Sequence, residues 1–453
     1  MIDRSNPPVA VVGGGPVGLA AAAHLVARGL PVKLYEAGAS VGANLRDWGH
    51  VRVFTPWRYC ADQASIALLE RQGWRLPPTH TFPTGAEIVR NYLEPLAATP
   101  ELARTIETGA RVTAISRLGL DKVVSRNREE HPFVLSVTTA NGVRRDLARA
   151  VIDASGTWSS PNPLGSSGLP AEGEAEFPDR IAYGIPDVLG RDRELYSGRE
   201  TLVVGAGHSA ANALLDLVRL AADDAATKAI WATRGTNLIR IYGGGDLGAE
   251  TRDLVESGRV PLVAGFAVTR IREEAGRLVV DGETSEGPHT IGPIDRIVAA
   301  TGQRPDLTLT RELRVDLDPW LESAKALGPL IDPNEHYCGS VPPHGHRELA
   351  HPEPGFYTAG IKSYGRAPTF LLLTGYEQVR SIAAALAGDM TAADNVQLVL
   401  PETGVCTTTF QVEGGAAAGC CGGQAQDGAD ACCVADADAK DAGKDGCGCG
   451  VAA

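Results

Sequence analysis

Three sets of residues in this chain are of types and spacings that do chemistry. Glycines at 13, 15 and 18 follow one apolar run and open another, and Glu36 closes the next. Gly205 and Gly207 repeat the arrangement, with His208, Ser209 and Ala210 behind them and Thr233–Arg234 where the acid stood. Near the end, Cys420, Cys421, Cys432, Cys433, Cys447 and Cys449 form three pairs among Gly, Ala and Asp.

A Gly-x-Gly-x-x-Gly between strand and helix suits the pyrophosphate of a dinucleotide. The first glycine permits the turn, the second lets phosphate approach the backbone, and the third packs helix on strand. The helix N-terminus meets the phosphate charge with N–H groups. An acid at the end of the second strand accepts hydrogen bonds from a ribose diol, so Gly13, Gly15, Gly18 and Glu36 suit FAD or NAD. In the second set Ala210 is small enough for close packing, and the Arg234 guanidinium can pair with a 2′-phosphate. Gly205, Gly207 and Arg234 therefore suit NADPH, while His208 reads as structural. Paired thiolates are soft ligands that select Cu(I), zinc or trivalent arsenic, so the six tail cysteines read as metal or metalloid ligands. A flexible spacer of about 25 residues spans roughly 25–30 Å, enough to sweep a catalytic face.

The elements that must hold these residues are legible in outline. "VAVV" (9–12) is a strand, 19–29 a helix and 32–36 a second strand. Helices are expected over 61–72 and 85–98, and strands of a smaller sheet near 111–117, 133–139 and 147–153. A second strand–turn–helix unit covers 200–221, with a strand over 228–234. Two such starts about 190 residues apart are a repetition of fold. A strand at 295–302 leads to strand, loop and long helix over 355–389. The expected class is α/β, with two Rossmann-like dinucleotide-binding domains and a disordered Cys-rich tail. The domains are expected as an FAD-binding domain (1–163 and 301–395), an NADPH-binding domain (164–300), and linker plus tail (396–453).

The two glycine motifs, "DASGTWSSPNP" (153–163) and "ATGQRPD" (300–306) together resemble the two-dinucleotide-binding flavoproteins. The nearest branch is the class B flavin monooxygenase-like one, which includes flavoproteins associated with metal and arsenic resistance. The resemblance spans roughly 8–390 and implies FAD and NADPH as cofactors. It implies that Arg46 contacts FAD, that the strand holding Val112 meets the adenine, that Ser209 is a further NADPH contact, and that Thr301 and Gly302 form the return crossing between domains. The 355–389 segment, with Gly360 and Thr369, would close over the isoalloxazine. Lys362 and Arg366 in "KSYGR" would then be positive groups that stabilise the reduced, anionic flavin.

Three departures from the resemblance bear on the chemistry. The stretch 177–204 lacks the histidine of the Phe-x-Gly-x-x-x-His signature that flavin monooxygenases carry. "AGIK" (359–362) stands where Gly-Asp is usual, and the folded part holds no close cysteine pair to form a resident disulfide. The expected function is an FAD-dependent NADPH oxidoreductase, monooxygenase-like, acting on a soft metal or metalloid, arsenic first. One alternative is a disulfide or metal-ion reductase using tail dithiols; another is a metal-sequestering protein on a flavoprotein frame.

Bulk properties narrow the partners. A net charge of −13 and 5% aromatic residues argue against nucleic acid or an anionic membrane surface. No signal peptide or membrane span is read, and few cysteines lie outside the tail, so a reducing cytoplasm is expected. The oligomeric state is open, a homodimer included. "HYCGSVPPHGH" (336–346) does not match structural zinc spacing and reads as a loop.

Overall fold

The computed structural model describes residues 6–242, 245–336 and 341–398; the six tail cysteines, Cys338 and Cys406 lie outside them. Two five-stranded parallel sheets carry the structure. In the first, Val9–Val12 is central, flanked by Val32–Tyr35 and Ala150–Asp153, with Ile106–Glu107 and Phe356–Thr358 at the edges. In the second, Glu200–Val204 is central, flanked by Lys228–Thr233 and Arg296–Ala299, with Leu262–Ala264 and Ile181–Tyr183 at the edges. The central strands are buried at nearly every position because helices or meanders cover both faces.

Each sheet has a three-stranded antiparallel meander attached. Arg111–Arg117, Phe133–Thr139 and Gly142–Ala148 form one; Ala267–Glu274, Arg277–Thr284 and Gly287–Ile294 form the other. Phe133, Leu135 and Val137 alternate inward, as a half-covered strand requires. The single strand expected over 147–153 is corrected to two. Gly142–Ala148 ends the first meander, and Ala150–Asp153 enters the parallel sheet after Arg149, whose N–H bonds the Pro8 carbonyl (3.0 Å).

The helix Pro16–Ala27 is apolar all round because it lies between the first sheet and the helix Leu372–Leu386. His208–Asp223, behind the second sheet, is amphipathic, with Ala210, Leu214 and Leu217 inward and Arg219 outward. The helix expected over 85–98 runs as Gly85–Ile88, a π-helical stretch Val89–Leu93, and Glu94–Ala97. Pro95 has no N–H for the Asn91 carbonyl, and its ring crowds that turn. The indole of Trp74 donates to that carbonyl instead, at 2.8 Å. Among the described residues no helix is long and apolar enough to cross a membrane.

Candidate functional site

In the first glycine turn the three glycines meet three different constraints. Gly13 has φ +104°, and a Cβ there would lie 2.5 Å from the Ala154 carbonyl oxygen. A Cβ on Gly18 would lie 1.9 Å from the Gly13 carbonyl oxygen, so helix and turn touch backbone to backbone. A Cβ on Gly15 would meet nothing within 4 Å: the turn is open there, at the N-cap of the helix. Glu36 is buried, and its carboxylate accepts from the N–H groups of Gly14 (2.7 Å) and Gly38 (2.6 Å). Arg46 is half-exposed and paired with Glu94 at 2.7 Å. Val112 opens the first meander opposite Val137, two residues beyond Ala110, whose N–H bonds the Glu36 carbonyl (2.8 Å).

The second turn repeats this geometry. Gly205 has φ +139°, and a Cβ there would lie 2.2 Å from the Ala300 carbonyl oxygen; Gly207 faces open space. Ala210 is fully buried where Gly18 stands in the first unit. His208 stacks on Phe54, centroids 5.5 Å apart, and burial pushes its pKa down, so it is a packed neutral imidazole. Arg234 follows the strand Lys228–Thr233, is exposed, and donates to the Ser166 carbonyl at 3.0 Å. Thr301 and Gly302 are laced to the outgoing chain. Thr301 Oγ1 donates to the Asn162 carbonyl (2.6 Å), the Asn162 side-chain amide to the Thr301 carbonyl (3.1 Å), and the Asn162 N–H to the Gly302 carbonyl (2.9 Å).

The last segment brings Gly360 to the first turn and Lys362 to the end of the neighbouring strand. Gly360, at φ +69°, abuts Val17 in the first turn of Pro16–Ala27, where a Cβ would sit 3.3 Å away. Lys362 is buried; its ammonium pairs with Asp153 at 2.7 Å and donates to Ser155 Oγ at 3.0 Å. Arg366 is exposed, and its guanidinium reaches the Gly168 turn. Thr369 precedes the helix Leu372–Leu386, whose N-cap is Leu371; its Oγ1 is buried without a hydrogen-bond partner among the described residues. Sequence reasoning missed Asp153 and Ser155 as the partners of Lys362, although both lie in the quoted "DASG". His344 and His346 bond Gln378 and Ser381 respectively, and no group of three or more metal-ligating side chains occurs among the described residues.

Two turns that open at helix N-termini, with Glu36 bonded into the first and Arg234 at the end of the strand next to the second, fit two dinucleotides. The fold and these cradles define a two-dinucleotide flavoprotein oxidoreductase. The chain belongs to the pyridine nucleotide-disulphide oxidoreductase family, whose model matches residues 10–325. FAD and NADPH are its cofactors.

Among solved structures it is similar to the bacillithiol disulfide reductase of Bacillus cereus (18% identity, TM-score 0.64, covering 85% of this chain and 99% of that one). It is also similar to the cadaverine monooxygenase of Erwinia amylovora (14%, 0.60, 91% and 100%) and the ornithine N-hydroxylase of Kutzneria sp. 744 (17%, 0.57, 85% and 100%). Identities this low show a shared fold. Among curated proteins no sequence relative is found.

Proposed function

We propose that the protein is an FAD-dependent, monooxygenase-like NADPH oxidoreductase whose substrate is a soft metalloid, trivalent arsenic first, delivered by the paired tail thiols. One observation carries this reading. Three cysteine pairs sit on an acidic tail outside the described residues, while Cys60, the one free cysteine among the described residues, is buried with its thiol pushed up to about 11. The thiols fit to hold a soft ion are those of the tail.

FAD, when bound, supplies the chemistry of taking hydride from NADPH and passing electrons on. The chain supplies position. Gly13, Gly15 and Gly18 shape the pyrophosphate cradle, and Glu36 keeps lone pairs for a ribose while holding the turn. Arg46 and the strand holding Val112 would contact that ligand, and the segment with Gly360 and Thr369 would close over it. Gly205, Gly207 and Ser209 cradle NADPH, and Arg234 takes its 2′-phosphate. Thr301 and Gly302 fix the crossing between the two units. Lys362 acts through Asp153 and Ser155, while Arg366 is the exposed positive group at the Gly168 turn.

The test is NADPH oxidation and oxygen uptake by the flavin-loaded protein, with and without arsenite, for the full chain and a chain cut at about residue 411. Arsenite-stimulated oxygen uptake that the cut abolishes is the expected result. NADPH-driven exposure of tail thiols without oxygen uptake replaces it with a dithiol reductase. Arsenite binding that leaves turnover unchanged replaces it with a sequestering protein.

A further inference from the structure

Behind Gly360 lies a buried chain of hydrogen bonds that none of these roles uses. The Gly360 N–H donates to Gln378 Oε1 at 2.8 Å. Gln378 is fully buried on the helix Leu372–Leu386, and its Nε2 lies 3.0 Å from Ser363 Oγ and 3.0 Å from His344 Nε2. Ser363 Oγ donates to the Gly360 carbonyl at 2.7 Å, and His344 Nδ1 lies 2.9 Å from the Pro342 carbonyl oxygen.

The donor inventory fixes the direction of each bond. The Gly360 N–H needs an acceptor, so Oε1 faces it and the Gln378 nitrogen must donate. His344 Nε2 therefore offers a lone pair. The Pro342 carbonyl only accepts, so Nδ1 carries the proton. The neutral Nδ1–H tautomer satisfies every partner. A charged imidazole sets N–H against the Gln378 amide N–H; rotating that amide to answer it sets the amide N–H against the Gly360 N–H. In either case a buried donor is left without a partner. The segment so held reaches the cofactor cradle: Gly360 abuts Val17, and Ile361 Cγ2 lies 4.0 Å from where a Cβ on Gly156 would sit.

We propose that His344 is a positioning residue for the flavin: acting through Gln378, it holds the Gly360–Ser363 segment against the cofactor pocket while neutral and releases it when protonated. This rests on FAD occupying the first cradle with that segment as its wall.

The surroundings keep the imidazole neutral at neutral pH. Burial pushes its pKa below the usual histidine value, outweighing the Pro342 carbonyl and the Glu348 and Glu377 carboxylates, which favour charge. Arg380 is bonded to Glu377 (2.7 and 2.9 Å) and offsets that carboxylate. Arg347 is paired with Asp394, His346 with Ser381, and the Tyr364 ring packs on His344 at 5.6 Å.

The experiment follows FAD affinity and the visible flavin spectrum of the holoenzyme from pH ~7.5 to ~4, because burial moves the charge change of His344 downward from the usual histidine range. In the unmodified protein FAD dissociation should rise about tenfold on acidification, the value of one buried hydrogen bond. Gln378→Glu should flatten this profile, because a carboxylate accepts from the Gly360 N–H and from a charged imidazole at once. His344→Phe should hold FAD more weakly at neutral pH and show no acid step. Identical pH profiles for the unmodified protein and Gln378→Glu would overturn the proposal. Nitrogen NMR of the histidine-labelled unmodified holoenzyme decides independently of how the variants fold: a neutral Nδ1–H signal for His344 supports it, and an Nε2–H or charged ring refutes it. Failure to bind FAD at all would instead defeat the cradle reading itself.

Discussion

The two ends of the first glycine motif should fail differently when a methyl group is added. Gly18→Ala places a Cβ 1.9 Å from the Gly13 carbonyl oxygen, which is backbone and cannot swing aside, so helix and turn must part by more than an ångström. Overpacking of this kind costs about 1–3 kcal/mol, and alanine recovers about 1 kcal/mol over glycine inside a helix. A net loss of up to about 2 kcal/mol is expected, with FAD affinity falling because the turn moves. Gly15→Ala meets nothing within 4 Å and has φ −81° and ψ −173°, which alanine adopts freely. The weaker N-cap costs up to about 1 kcal/mol, and the stiffer unfolded chain returns about 0.4–1 kcal/mol. Stability without FAD should therefore barely change. The methyl, however, stands where the phosphate must approach. Losing one hydrogen bond to a charged group, about 1.5–3 kcal/mol, raises the FAD Kd about 10–150-fold. Thermal unfolding with and without added FAD, together with FAD fluorescence titration, separates the two. FAD affinity within about threefold of the unmodified protein, for Gly15→Ala or for Gly18→Ala, would refute the assignment.

Arg234→Glu should remove any preference for NADPH over NADH, read as the ratio of kcat/KM values, without changing Tm, since Arg234 is exposed. Equal efficiency with both nucleotides in the unmodified enzyme would sink that role. Glu353, fully buried, accepts from Arg117 at 2.7 Å and Arg128 at 2.9 Å; Glu353→Gln leaves two buried guanidinium groups short of charge and should cost about 3–5 kcal/mol by urea titration. Burial alone would raise the Glu353 pKa, yet Arg128 and Arg117 hold it below the ordinary glutamate value. Its contribution is therefore complete at neutral pH and is lost as pH falls through the folded-state value, a slope the variant should lack. Cys60, its thiol pushed up to about 11, should stay unreactive towards a thiol reagent in the native protein and react once the protein is unfolded in urea; labelling of native Cys60, read by peptide mapping, would contradict the burial.

The glycine turns were legible because their demands are local: a positive φ and a close backbone approach fall on residues within one short stretch. The elements that were misread depend on partners far along the chain. Nothing near 147–153 signals that the Arg149 N–H bonds Pro8 and splits the strand. The π-turn at Val89–Leu93 was half visible in Pro95, but the donor that accommodates it, Trp74, is not local to it. The charge of Lys362 is visible in the sequence, while its partner Asp153 lies about two hundred residues earlier in the chain. "HYCGSVPPHGH" suggests a metal pattern because histidines cluster in sequence. In space His344 and His346 take separate partners, Gln378 and Ser381, on one face of the helix Leu372–Leu386.

The two cradles share a frame but are not interchangeable, and the reason lies in what Glu36 and Arg234 do for their own turns. Glu36 is buried and satisfies two backbone donors, Gly14 and Gly38, besides any ribose it meets. Arg234 is exposed and holds a single carbonyl, at Ser166. Replacing Glu36 with arginine would leave both N–H groups without their carboxylate and bury a charge beside a helix N-terminus, which favours anions. If Arg234 takes the 2′-phosphate as proposed, nucleotide choice at the second site can be edited through one surface side chain. At the first site the residue proposed to meet the ribose also closes the turn, so changing it to alter specificity would also disturb the fold.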